Sequence, residues 1–191
     1  MNTKTLATTI VFVALTVALN PAVSGIGVPA PYAPYLIYGL WEIPIVAAFI
    51  FISPAAAIFI SLLNATTLFA FFPGPLPTGP FYNLTALFSM LIGLYIARRF
   101  IKYKVISQQK VLRIATASTI LGIVLRVAVM TVVNYVTLQQ PYPIGFDLEE
   151  IAVLVTYLPA TALFNGTVAL YTVPMGEFIA KVIKSRLKLN K

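Results

Sequence analysis

Between Lys4 and Arg98 the only aspartate, glutamate, lysine or arginine is Glu42. Apolar chain of that length has to be hidden from water. A helix that crosses the hydrocarbon core of a bilayer needs about 20 mostly apolar residues. Lipid is therefore the expected solvent for much of the surface. Composition agrees, because 60% hydrophobic and 9% charged residues do not suit a water-soluble domain of 191 residues.

Breakers divide the chain into six apolar segments, at residues 4–22, 35–52, 54–72, 81–100, 110–138 and 150–184. Residues 20–34, with Pro21, Pro29, Pro31 and Pro34 and with Gly25 and Gly27, predict a long loop. Ser53-Pro54 predicts a tight helical hairpin, and residues 72–80 (FPGPLPTGP) an uncharged turn-rich loop. Arg98, Arg99, Lys102, Lys104, Lys110 and Arg113 crowd one connection. Asp147, Glu149 and Glu150 mark the next, and a bend is expected at Pro159. Lys181, Lys184, Arg186, Lys188 and Lys191 close the chain.

The fold class expected is an all-α membrane protein, one domain over residues 1–191 with six transmembrane helices. Basic residues concentrate in cytoplasmic loops, and that rule places the N-terminus and C-terminus in the cytoplasm and the proline-rich and acidic loops outside. The alternative is a cleaved signal peptide over residues 1–24, with Ala22-Val23-Ser24 at the cleavage site. It would leave five crossings. No internal repeat is evident.

Several activities are excluded by what the chain lacks. It has no cysteine and no histidine, so thiol nucleophiles, histidine-based zinc sites and Ser-His triads are absent. No catalytic residue and no metal site are expected. Glycine-rich phosphate loops are missing too, so the chain is not expected to hydrolyse nucleotide by itself. The net charge of +8 sits beside apolar segments. That points to anionic lipid headgroups rather than nucleic acid.

Polar groups inside a bilayer are costly unless satisfied, so their depth is informative. Asn165 precedes Lys181 by sixteen residues, about 24 Å of helix at ~1.5 Å per residue. Similar counting puts Asn64, Asn83 and Asn134 in the same outer half. Four amides at one level are expected to line a cavity for a neutral polar heterocycle, or else to hold helices together. Arg126 lies mid-helix and needs a partner, either Glu42, the candidate by depth, or an anionic or carbonyl-bearing ligand. Tyr32, Tyr35, Tyr38 and Trp41 form an interfacial belt, or Tyr38 and Trp41 stack on a flat ligand ring. Ala7, Ala14, Ala18 and Ala22 share a face of the first helix, small enough to pack inside the chain or to admit another helix.

These features, in this order, resemble the substrate-binding S components of energy-coupling factor (ECF) vitamin transporters, most closely the riboflavin-specific group. The resemblance rests on the Ala14-xxx-Ala18 face, residues 33–54 (APYLIYGLWEIPIVAAFIFISP), LLN ending at Asn64, GPFYN ending at Asn83, VMTVVNY around Asn134 and LPATALFNGTVA around Asn165. It implies an S-component-like six-helix bundle that binds a vitamin, foremost riboflavin, from the outside. The vitamin is transported ligand and not cofactor. It also implies partners, namely a transmembrane T component docked on Ala14 and Ala18 and two cytoplasmic ATPase subunits. The expected ligand-binding residues are Tyr38, Trp41, Glu42, Asn64, Phe81, Asn83, Arg126, Asn134 and Asn165. Four positions depart from the pattern: Gly39, Glu42, Leu63, and Val168 where the group has lysine. They keep open another flat vitamin or a nucleobase-like precursor. A membrane scaffold without a ligand is the remaining alternative.

Overall fold

The computed structural model describes residues 3–72, 74–100 and 108–186, with side chains at 108–111 excepted. Helix α1 spans Thr3–Ala18 and buries Thr9, Phe12 and Thr16. Thr8, Thr9 and Thr16 donate their hydroxyls to the carbonyl four residues back; Thr16 Oγ1, for example, donates to the Phe12 carbonyl at 2.8 Å. This is how a hydroxyl is tolerated where no water reaches. Ala7, Ala14 and Ala18 are exposed, so internal packing does not use that face; Ala22, also exposed, lies past the end of this helix and is not part of the face.

A single helical turn, α2 (Pro21–Ser24), follows. Asn20 caps it, Pro21 occupies its first position, and Gly25 ends it at φ 68°. Each residue type suits its place: an amide oxygen for an orphan N–H, a ring with φ preset, and a residue without Cβ in the left-handed region.

Two antiparallel strands, β1 (Val28–Ala30) and β2 (Ala33–Tyr38), then form a hairpin in which Val28 pairs with Tyr38 and Pro29 with Ile37. This corrects two expectations: residues 20–34 are not a plain loop, and residues 35–52 are not one helix. Pro34 disfavours a helical conformation at Ala33, and Tyr35 to Tyr38 are aromatic or aliphatic residues suited to a ribbon. The chain is still mostly helical, with this short two-stranded ribbon added to the expected helices.

Helix α3 (Glu42–Phe51) starts only after the hairpin and buries eight of its ten residues, Glu42 included. At ~1.5 Å per residue it is about 15 Å long, half of a ~30 Å hydrocarbon core. Ser53 caps α4 (Pro54–Phe71), its Oγ accepting the Ala56 N–H at 3.1 Å, as the Ser-Pro signal anticipates. Helices α5 (Gly79–Phe100) and α6 (Gln108–Leu138) pack closely, and a Cβ on Gly93 would stand 2.5 Å from the Leu121 carbonyl oxygen. Helix α7 (Glu150–Ala152) runs through a wide turn at Val153–Tyr157 into α8 (Leu158–Arg186). In that turn the Leu158 N–H reaches back five residues to the Val153 carbonyl. The irregularity immediately precedes Pro159, the expected point of bending.

Among the described residues, four helical stretches are long and apolar enough to cross a membrane: Pro54–Phe71, Gly79–Phe100, Leu112–Leu138 and Glu150–Arg186. Thr3–Ala18 and Glu42–Phe51 are shorter apolar helices. Outward positions such as Ile120, Val124, Val132, Leu163, Leu170 and Phe178 are exposed. A surface this apolar belongs in lipid, and the chain is built as a multi-pass membrane protein. The core gathers around α3, where Ile45, Val46, Ile60, Leu87, Met90, Leu94 and Val173 are fully buried.

The bundle has two unlike ends. At one, Arg98 pairs with Glu177, and Lys184 Nζ donates to the Ile50 carbonyl at 3.2 Å, tying the ends of α5, α8 and α3 together. At the other, the 72–78 and 139–149 loops meet. There Thr78 Oγ1 donates to the Pro143 carbonyl at 2.8 Å and the Tyr82 hydroxyl to the Ile144 carbonyl. Lys102, Lys104, Lys188, Lys191 and the side chain of Lys110 lie outside the described residues.

Candidate ligand-binding site

The geometry of the site starts from one buried ion pair. Arg126 from α6 and Glu42 from the first turn of α3 are 3% and 3% exposed. Arg126 Nη1 donates to Glu42 Oε2 and Nη2 to Oε1 at 2.9 Å, a two-point contact. Asn165 completes the set. Its Oδ1 accepts from Arg126 Nε at 2.9 Å, while its Nδ2 donates to the Thr161 carbonyl at 2.8 Å. Met90 Sδ lies 3.8 Å from Nη1. Desolvating two charges is expensive, and only a well-aligned, fully bonded arrangement offsets it.

This pair forms part of the lining of a cavity of about 600 Å³ at the end of the bundle where the proline-rich loops meet. Such a volume suits a small heterocyclic ligand. Tyr35, Leu36 and Ile37 come from the hairpin, with Gly39 and Trp41 beyond it. Phe72, Gly74 and Pro75 come from the α4–α5 connection, and Asn83 from α5. Phe164, Val168 and Tyr171 present one stripe of α8 at helical spacing, and Asn20, Pro21 and Ala22 close the side next to α1. Glu42 and Arg126 are the lining's charged residues, and their formal charges cancel. An uncharged ligand with a flat apolar body and a few polar edges fits this chemistry.

Of the residues expected to bind ligand, Trp41, Glu42, Asn83 and Arg126 come together on this cavity. Asn165 stands behind it, engaged with Arg126. Tyr38 stands one layer back as well, its ring 4.8 Å from Phe164 and its hydroxyl 2.5 Å from that of Tyr32. Tyr38 faces a second, mostly apolar cavity of about 420 Å³, together with Ala18, Leu40 and Met175. Asn64 is buried with Oδ1 unpartnered among the described residues. Phe81 packs on Phe69 at 5.7 Å, and Asn134 is half-buried. These last three do not line the cavity.

The hairpin is held to the helices by Tyr171, whose hydroxyl donates to the Gly39 carbonyl at 2.6 Å. Burial and the hydrogen bond with Tyr38 push the Tyr32 phenol up to about 12. Burial, with the neighbouring Tyr157, also raises Tyr35. Asn20, Phe164, Val168 and Tyr171 are lining residues that sequence reasoning did not propose as ligand contacts. The spacing 164, 168, 171 was a usable signal for three of them.

Fold and site together define a membrane-embedded helical bundle with a charge-balanced, aromatic-walled cavity at one end. No protein-family model and no curated protein sequence matches the chain. Among solved structures, its fold is similar to the S component of a bacterial ECF transporter, with a TM-score of 0.74 and 22% sequence identity over 97% of this chain and 98% of that one.

Proposed function

We propose that this chain is the membrane-embedded substrate-binding subunit of an ECF-type ABC transporter that takes up a vitamin, with riboflavin the first choice. In this reading the polypeptide crosses the cell membrane six times with both termini cytoplasmic, so the cavity faces outward. The cavity carries the proposal. Its charges cancel in the Glu42–Arg126 pair, Trp41 and Phe164 offer flat apolar faces, and Asn83 offers an amide to a polar ring edge. The likeness of fold to an S component supports it.

Asn165 acts by holding Arg126 and Tyr38 by bracing Phe164. The exposed Ala14 and Ala18 are the docking face for a T component, and two cytoplasmic ATPases supply energy that this chain has no motif to supply. Purification with riboflavin present, followed by desalting, tests the assignment. Stoichiometric flavin absorbance should stay with the protein, and colourless protein after saturating exposure counts against riboflavin.

A second reading is favoured by Val168. It lines the cavity where the riboflavin group has a lysine, and Asn134 lies away from the lining. Both features fit a different flat, uncharged vitamin or a nucleobase-like precursor. Competition for bound riboflavin by such compounds separates the two readings.

A further inference from the structure

Folding leaves one hydrogen-bond donor unused in the cavity wall. Asn20 is 4% exposed and lines the cavity. Its Oδ1 accepts the Ala22 N–H at 3.1 Å, and its backbone carbonyl accepts the N–H groups of Val23 and Ser24 at 2.9 Å each. The cap fixes the amide's orientation, because an N–H needs the oxygen and so turns the nitrogen the other way. Nδ2 is then buried, with two N–H donors and no partner among the described residues.

An unpaired amide donor in a low-dielectric interior is a cost that proteins of this kind avoid. Capping does not account for it, since serine caps as well as asparagine with a single, freely rotating O–H donor in place of a fixed NH2 group. Asn64 Oδ1, Arg98 Nε, Ser118 Oγ and Thr172 Oγ1 are also buried without partners, but none of those residues lines the cavity. Among the described residues, Asn20 alone joins a buried orphan donor to the cavity wall.

We infer that Asn20 is a specificity-determining ligand contact whose Nδ2 donates to an acceptor on an uncharged heterocycle, a ring carbonyl oxygen or an unprotonated ring nitrogen. The inference rests on the reading of this chain as a substrate-binding subunit. It adds a requirement to that reading: analogues lacking an acceptor on the edge that meets α2 bind weakly, even when shape and charge match.

The test uses Asn20→Asp and Asn20→Ser in the full-length protein. Both keep an oxygen for the Ala22 N–H and remove the amide donor; Asp also keeps the shape. Riboflavin affinity by equilibrium dialysis and the thermal midpoint of ligand-free protein are measured together. Affinity should fall about 10- to 100-fold in both variants, with the ligand-free midpoint of Asn20→Ser unchanged or raised. Affinities within about threefold of wild type overturn the inference, as does a ligand-free midpoint of Asn20→Ser lowered by several degrees, which reveals a structural partner for Nδ2. If wild-type protein does not bind riboflavin, it is the riboflavin assignment that fails. The ligand-free midpoint of Asn20→Ser still decides for or against an unused donor.

Discussion

Replacing Glu42 by glutamine is the sharpest probe of how the interior is held. Gln keeps the size and one acceptor oxygen, so packing is nearly unchanged, but the guanidinium of Arg126 loses its counter-charge. The side chains of Arg126 and Glu42 are each 4% exposed, so little water is at hand to take the carboxylate's place. Removing one partner of a buried pair costs about 3–5 kcal/mol, because the remaining charge is left uncompensated. Exposed ion pairs are worth only about 0–1 kcal/mol, so the magnitude itself reports burial. Asn165 still accepts from Nε in the variant, which places the expected loss toward the lower end of that range. On the scale of soluble domains of this size, about 2–4 °C per kcal/mol, the midpoint should drop roughly 6–15 °C. SDS-driven unfolding in mixed micelles gives the free energy directly. The double variant Glu42→Gln, Arg126→Gln should lose much less than the sum of the single changes, an interaction on the order of 2–3 kcal/mol. A Glu42→Gln loss below about 1 kcal/mol with additive singles would refute the claim of a dry, mutually dependent pair.

Other expectations follow from packing, titration and surface. Gly93→Ala should cost about 1–3 kcal/mol, because the new methyl meets the Leu121 backbone at 2.5 Å. Gly166→Ala, whose methyl would find Val127 Cγ2 at 3.6 Å, should be neutral or slightly stabilising. Equal effects in unfolding assays would refute the α5–α6 contact. The Tyr32 phenol, raised to about 12, should ionise late in an absorbance titration and earlier in Tyr38→Phe. Because the folded value lies above the ordinary value near 10, this contribution to stability is fully present below pH 10 and is lost as pH rises toward 12. A Tyr32 titration unmoved by Tyr38→Phe contradicts the hydrogen-bonded pair. Ala14→Leu with Ala18→Leu should leave folding and ligand binding intact, since both positions are exposed. It should abolish co-purification with a T component, and an unchanged complex counts against that docking face.

Hydropathy located the long helices because it reads the quantity that lipid selects. The stretches 54–72, 81–100 and 110–138 correspond to Pro54–Phe71, Gly79–Phe100 and Gln108–Leu138. It is blind to the difference between an apolar helix and an apolar ribbon, and so Tyr35 to Tyr38 were merged with α3. The prolines before them carried the distinguishing signal. Depth counting placed Arg126 near Glu42 correctly, since both must sit at one level to meet. Depth did not tell how each helix is rotated. Asn165 and Phe164 are adjacent in sequence, yet one bonds to Arg126 and the other faces the cavity. Residue counting sets Asn64 and Asn134 at the level of Asn83, but only Asn83 of the three lines the cavity, because helix packing sets rotation. In the sequence, Asn20 marks the edge of a proline- and glycine-rich loop. Its role as a cap with a spare donor depends on contacts that no single-sequence pattern displays.

The most direct test of a ligand site at this cavity uses Trp41, the sole tryptophan of the chain and a residue of the cavity wall. Riboflavin titrated into purified protein should quench Trp41 emission to saturation at a 1:1 ratio and at submicromolar concentration, as expected for a capture subunit. Linear, non-saturating quenching no stronger than that of free tryptophan would contradict riboflavin as the occupant. The same flat response to every flat, uncharged vitamin or nucleobase tried would contradict the site itself.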